Sequence, residues 1–313
     1  MSAGRLRIGT RGSKLALWQA GWVKAALDPY LSHPSDLIVI KTRGDRITDV
    51  PLAQVGGNAL FVKELEDALF DGRIDVAVHS MKDMPSSLPE GLALGAVPKR
   101  ESPFDVLVSK ENKSFHELAI GARVGTSSLR RQAQLLNARP DLVMDPLRGN
   151  LDTRLAKLER QDLDAIVVAA AGMKRLGFED RITQVFPEDL LLPAVGQGAL
   201  CIEIREGDLA TAGLVAPLDH PDTRAAVLAE RAFLRRLGGS CQVPMAGYAV
   251  VAGDTVTLTG LVASLTGQEL VRDTLSGEIS APEDVGTLLA ERLLDRGALP
   301  LVMEILGKSP CRG

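Results

Sequence analysis

The chain has 313 residues, 45% of them hydrophobic and 24% charged, which is too long for one ordinary core and predicts two or three soluble globular domains. A formal net charge of -4 and only 4% aromatic residues argue against general nucleic-acid binding and against a base-stacking surface. No apolar run reaches the length of a membrane span, three cysteines show no pairing pattern, and the first residues run straight into a strand pattern rather than a signal peptide, so a reducing cytoplasm is the expected compartment.

In chain order, Leu6-Arg7-Ile8 predicts a short strand and Thr10 to Ser13 a loop. Leu15, Trp18, Trp22 and Ala25 then recur at helical spacing, with Ser13 as the natural N-cap. Ile74 to Val78 predicts a buried strand that ends at His79-Ser-Met-Lys-Asp-Met-Pro85. Pro98 to Pro103 reads as a connector. Arg123-Val-Gly-Thr126 then echoes Arg7-Ile-Gly-Thr10, and Ser127-Ser128 precede a predicted helix over Leu129–Leu136. A second echo pairs Asp75-Val-Ala-Val-His-Ser-Met81-Lys82 with the strand from Asp164 that ends at Met173-Lys174. Two echoes in the same order predict two similar α/β lobes. Leu192 to Gly198 reads as another connector. Beyond residue 217 the spacing predicts a helix from Arg224 to Leu237, a hairpin turning at Gly253-Asp254, and a helix from Glu283 to Leu294.

Basic and hydroxyl residues gather at the predicted helix entries. Arg11 and Ser13 open the first helix, and Thr126, Ser127, Ser128, Arg130 and Arg131 open the second. Arg148, Asn150, Arg154 and Arg175 follow. Helix N-termini offer unpaired N–H groups and partial positive charge, to which guanidinium forks add directed donors. An anionic ligand between two lobes is the reading, with a carboxylate fitting as well as a phosphate; a solvated helix face is the alternative for Arg154. No GxxxxGK[ST] motif supports nucleotide binding. Asp83, just beyond the buried strand, reads as a general acid/base, as a stabiliser of a developing cation, or as the cap of the next turn. His79 has no partner at metal-ligand spacing, so no metal is expected. Cys201 lies in an apolar run and reads as core. Cys241, between Gly238-Gly239 and Pro244, reads either as a structural thiol in a tight turn or as a reachable nucleophile or attachment point.

Seven segments carry a family resemblance: Arg7-Ile-Gly-Thr-Arg-Gly-Ser13, Thr42-Arg-Gly-Asp45, Val78-His-Ser-Met-Lys-Asp-Met-Pro85, Gly125-Thr-Ser-Ser-Leu-Arg-Arg131, Leu147-Arg-Gly-Asn150, Leu192-Pro-Ala-Val-Gly-Gln-Gly198 and Gly238-Gly-Ser-Cys-Gln-Val-Pro244. In this order they resemble the porphobilinogen deaminase (hydroxymethylbilane synthase) family over nearly the whole chain. The resemblance implies an α/β fold of two periplasmic-binding-protein-like (type II) lobes plus a small third α+β domain. Its boundaries are residues 1–98 with 198–216, 99–197, and 217–313. It implies a transferase that joins four porphobilinogen molecules, with loss of ammonia, on a covalent dipyrromethane primer attached through a thioether to Cys241. Asp83 matches the catalytic acid. Arg11, Ser13, Ser80, Lys82, Thr126, Ser127, Ser128, Arg130, Arg131, Arg148, Asn150, Arg154, Arg175 and Gln197 match binding positions. A monomer is implied, with the product passed to uroporphyrinogen-III synthase and with no nucleic-acid or membrane partner.

One stretch departs from the pattern. Gln54 and Asn58 stand where many relatives carry lysines in a mobile loop, while Gly56, Gly57 and Phe61 keep the pattern. The competing reading is a two-lobed binding protein for an anion, which needs neither a loop thiol nor Asp83.

Overall fold

The computed structural model describes residues 5–42, 59–239 and 243–305. Contacts divide the chain into two compact units, Met1–Glu101 with Gly198–Arg224, and Ser102–Gln197 with Ala225–Gly313. Two of the crossings fall inside the proline- and glycine-punctuated segments 98–103 and 192–198.

The first unit starts with β1 (Arg7–Thr10), α1 (Lys14–Leu27), β2 (Asp36–Val39), α2 (Ala59–Phe70), β3 (Val76–Ser80) and β4 (Leu92–Ala96). The chain then builds β5 (Asp105–Ser109), β6 (Arg123–Gly125), α3 (Leu129–Ala138), β7 (Val143–Asp145), α4 (Leu151–Arg160), β8 (Ala165–Ala169), α5 (Ala170–Arg175) and β9 (Gln184–Val185) in the second. It returns to the first with β10 (Leu200–Arg205) and α6 (Leu209–Val215), and leaves again along α7 (Pro221–Arg236).

The two larger sheets have one topology. Their strand orders are β2-β1-β3-β10-β4 and β7-β6-β8-β5-β9. In each, the second strand of the order, β1 or β6, pairs in parallel with both neighbours, and β10 or β5 runs antiparallel beside the third. The echoes seen in sequence are the same contact made twice. Arg7 N–H donates to the Asp75 carboxylate at 3.0 Å, and Asp75 N–H to Arg7 C=O at 2.9 Å. Arg123 and Asp164 repeat the exchange at 2.7 and 2.9 Å. These are the two type II lobes that the resemblance implied.

Helices cover both faces of each sheet, which is why the central strands carry apolar residues on both faces. In the first lobe Ala20, Val23 and Leu27 of α1 pack on Ile8, Val76 and Val78, while Leu65, Ala68 and Leu69 of α2 pack with Ala77 on the other face. The residues of α1 that are buried are Ala16, Gln19, Ala20, Val23 and Leu27. Trp18 and Trp22, whose spacing marked the helix, are each 40% exposed. Thr10, read as loop, extends β1, because Ile40 N–H donates to its carbonyl at 2.8 Å.

The C-terminal sheet, in the second unit, is an antiparallel meander of β11 (Met245–Ala252), β12 (Thr255–Ala263) and β13 (Leu270–Glu278), followed by α8 (Pro282–Leu293) and α9 (Leu299–Ile305). Phe233 of α7 packs with Val256, Leu258 and Leu289 to form its core. The sequence did not predict β13, whose Arg272, Asp273, Thr274 and Ser276 make it an edge strand with little apolar signal. Gly267 joins this sheet to α3: its φ is +74° and a Cβ there would lie 2.1 Å from Ala133 O, so only glycine permits the approach.

Candidate active site

In open α/β sheets, ligands gather at the carboxyl ends of the strands. The predicted residues of the first unit stand at two neighbouring ends. Parallel pairing of Ile8 with Val76 and Gly9 with Ala77 puts the loop after β1 beside the turn after β3. The first carries Arg11 and Ser13, the second Ser80, Lys82 and Asp83. Ser13 Oγ accepts from Ala16 N–H at 3.2 Å, so it caps α1 as predicted. Gln19, buried on α1, donates to Ser80 Oγ at 2.9 Å and ties the two ends together. Gln19 was missed because a lone glutamine in an amphipathic helix carries no pattern. Asp83 ends a single 3-10 turn, Met81–Asp83, and is partly buried.

The second unit repeats the plan with more charge. Ser128 caps α3, accepting from Arg131 N–H at 3.5 Å, and Ser127 Oγ donates to Leu147 C=O at 2.9 Å. Thr126 is buried, and its Oγ1 accepts from Ser128 N–H at 3.2 Å. Arg148, Gly149 and Asn150 form the turn into α4. Gly149 has φ +108°, and its carbonyl accepts from Arg154 Nε at 2.8 Å in an exposed bond that folds Arg154 back on the turn. Asn150 stands at the N-cap of α4 with no side-chain cap bond. Arg175 ends α5, the helix that follows β8.

Arg130 and Arg131 are 6% and 5% exposed. Both converge on Asp105, which is fully buried at the start of β5. Asp105 Oδ1 accepts from Arg131 Nε and Nη2 at 3.0 and 2.7 Å, and from Gln197 Nε2 at 3.0 Å; Oδ2 lies 2.8 Å from Arg130 Nη2. The remaining guanidinium edges reach main-chain oxygens, Arg131 Nη1 to Val167 at 2.8 Å and Arg130 Nη1 to Leu192 at 2.7 Å. Burial pushes the Asp105 carboxyl up, but the charges of Arg130 and Arg131 outweigh burial and hold it below its ordinary value. Burial, assisted by Arg131, lowers Arg130 against the pull of Asp105. Asp105 was also missed from sequence. Its signal was an acid heading the apolar run Val106-Leu-Val108, where a buried strand has no use for one.

Cys241, Gly56 and Gly57 lie outside the described residues, as does the side chain of Phe61. Among the described residues no group of three or more His, Cys, Asp or Glu is placed to hold a metal, and no helix is long and apolar enough to cross a membrane.

The family description "Porphobilinogen deaminase, dipyromethane cofactor binding domain" matches residues 6–213, and "Porphobilinogen deaminase, C-terminal domain" matches 224–295. The chain belongs to the porphobilinogen deaminase family. It is 57% identical over 301 residues to the porphobilinogen deaminase of Syntrophotalea carbinolica, covering 95% of each chain. To that of Geobacter metallireducens it is 52% identical over 313 residues, covering 100% of this chain and 98% of the relative. Among solved structures, the periplasmic aliphatic sulphonate binding protein of Escherichia coli is similar over 75% of this chain and 70% of its own, at 15% identity and a TM-score of 0.42. The chain is thus a hydroxymethylbilane synthase, a transferase of tetrapyrrole biosynthesis that takes porphobilinogen as substrate and a dipyrromethane as cofactor.

Proposed function

We propose that the dipyrromethane is held through a thioether to Cys241, that the basic edge of the second unit seats its carboxylates, and that Asp83 serves the reacting ring. One observation carries this reading. Two guanidiniums share one carboxylate at the positive end of α3, so the cluster keeps a net positive charge that a fold alone does not need. Each pyrrole bears an acetate and a propionate, and that donor set fits them.

When bound, the dipyrromethane supplies the free pyrrole carbon to which each new ring is joined. The protein's residues do the rest. Arg130, Arg131, Thr126, Ser127, Ser128 and Gln197 hold primer carboxylates. Arg11, Ser13, Ser80, Lys82, Arg148, Asn150, Arg154 and Arg175 hold substrate and the growing chain. A charge-assisted hydrogen bond contributes roughly 1.5–3 kcal/mol, so a chain that gains two carboxylates per ring needs several. Asp83 accepts from pyrrole N–H groups, offsets the positive charge that develops as ammonia leaves, and moves the proton released at the newly joined carbon. On the same reading residues 217–313 form a third domain that carries Cys241, and the enzyme works as a cytoplasmic monomer that passes its product to uroporphyrinogen-III synthase.

Intact mass spectrometry tests the attachment. The purified chain should weigh more than its 33.4 kDa by one dipyrromethane, and Cys241→Ser should lose the increment. Active wild-type enzyme at the unmodified mass would overturn the assignment.

A further inference from the structure

Asp105 lies where three parts of the second unit meet. Its strand, β5, runs antiparallel to β8 with Asp105 opposite Ala169, so this end of β5 stands at the carboxyl edge of β8. Parallel pairing of β6 with β8 brings the entry to α3 to the same edge. One carboxylate thus binds two residues from the first turn of α3 and Gln197 from the connector.

The first lobe is an internal control for what the fold requires. Superposing the two strand orders sets β6 on β1, β8 on β3 and β5 on β10. The cap Ser128 then matches Ser13, and Arg130 and Arg131, the second and third residues of α3, match Leu15 and Ala16 of α1. Asp105, opposite the last residue of β8, matches Leu200, opposite the last residue of β3. The same topology is therefore built with leucine, alanine and leucine where the second lobe has two cations and an acid. The charged version is the expensive one, since it gathers two like charges at the positive end of a helix, away from water. Folding does not explain it.

We infer that Asp105 is a positioning residue for primer capture: it orients the Arg130 and Arg131 guanidiniums and Gln197 as one rigid donor set toward carboxylates of the dipyrromethane. This rests on the reading that those arginines seat the primer. Two adjacent buried guanidiniums repel each other, and without a shared acceptor each would turn to whatever carbonyl is near. With it, Arg131 is held at three points, Nε and Nη2 on Asp105 Oδ1 and Nη1 on Val167 C=O. Asp105 itself takes no part in the chemistry.

The test compares Asp105→Asn, Asp105→Glu and Arg131→Leu with the wild type, all as full chains. Two quantities are read on the folded, monodisperse fraction: the share of chains carrying the dipyrromethane mass increment, and the rate at which chains lacking it acquire it when porphobilinogen is added. Misplacing a donor by about 1 Å can cost about 100-fold in rate. Asp105→Asn should therefore be mostly unloaded and acquire primer about 100-fold more slowly. Asp105→Glu keeps the charge but shifts it by a methylene, and should load more slowly than the wild type but faster than Asp105→Asn, because the shared anionic acceptor is retained. If Arg131→Leu loses primer while folded Asp105→Asn loads fully at the wild-type rate, the inference fails and the reading of the arginines stands. If Asp105→Asn does not fold, Asp105→Glu decides, and full loading at the wild-type rate overturns the role. If Arg131→Leu itself loads normally, the underlying reading falls, and the positioning role with it.

Discussion

Asp83 tests the proposed chemistry one residue at a time. It ends a single 3-10 turn at the carboxyl end of β3, partly buried, two residues beyond the Met81 N–H that donates to Ala199 C=O at 3.0 Å. Asp83→Asn keeps shape and one acceptor oxygen but removes the charge, so it should fold, keep the primer and lose most turnover, the scale for a lost acid/base being about 10²–10⁴-fold. Asp83→Glu keeps the charge and moves it by a methylene, so it should be impaired but clearly better than Asn. A capping role predicts near-normal activity in both variants with about 0.5–2 kcal/mol lost in stability. Melting temperature and porphyrinogen formation on the same samples separate the two, and full activity in Asp83→Asn removes the residue from the mechanism. Asp83 was visible in the sequence because the turn follows a strongly apolar strand. Asp105 and Gln19 were not, because each takes its meaning from partners many residues away, Arg130 and Arg131 for one and Ser80 for the other.

At the scale of elements, α2, β3 and β10 share an ionisable cluster of Glu66, His79 and Glu203. His79 Nε2 lies 3.0 Å from Glu203 Oε2, and both side chains are buried. Strand pairing sets His79 beside Cys201 and Glu203 beside Ala77. Glu66, on α2, is pushed up from 4.5 to about 7, first by burial and then by the charge of Glu203, with Asp67 adding and His79 and Lys63 opposing. Among the described residues neither Glu66 Oε1 nor Glu203 Oε1 has a hydrogen-bond partner. The folded chain therefore holds a proton on Glu66 that the unfolded chain gives up at lower pH. Stability from this group is full below pH 4.5 and is lost as pH rises through about 7. Glu66→Gln is neutral at every pH and should flatten that decline. Melting temperatures at pH 5, 6, 7 and 8 for both proteins, at about these round values, should diverge toward the alkaline end with the variant higher. Parallel curves would show that Glu66 does not carry the proton. The sequence made β3 legible through the apolar run Ile74 to Val78 and α1 through its Ser13 cap, but β13 escaped because an edge strand with Arg272, Asp273 and Ser276 shows no period-2 apolar face.

The whole molecule carries two copies of one lobe, and the sequence revealed them through a short echo whose physical content is the reciprocal Arg7–Asp75 and Arg123–Asp164 contact. The copies differ most usefully at the first turn after the first strand, which invites a transplant. Asp105→Leu with Arg130→Leu and Arg131→Ala gives the second lobe the residues that the first has at Leu200, Leu15 and Ala16. Two of the groups left behind keep partners: Leu192 C=O still accepts from Gln134 Nε2 at 3.2 Å, and Gln197 Nε2 still donates to Pro103 C=O at 2.6 Å, while Val167 C=O loses its Arg131 donor. Replacing a buried ion cluster by apolar residues is commonly neutral or stabilising, whereas removing one partner costs about 3–5 kcal/mol. At about 2–4 °C per kcal/mol for a chain of this class, Asp105→Asn alone should lower the melting temperature by roughly 6–20 °C, and the triple variant should stand well above it, near the wild type. The triple variant should nevertheless carry no dipyrromethane increment. A triple variant less stable than Asp105→Asn would show that the charged cluster holds the second lobe together. A triple variant that is folded and fully loaded would show that primer capture needs none of the three.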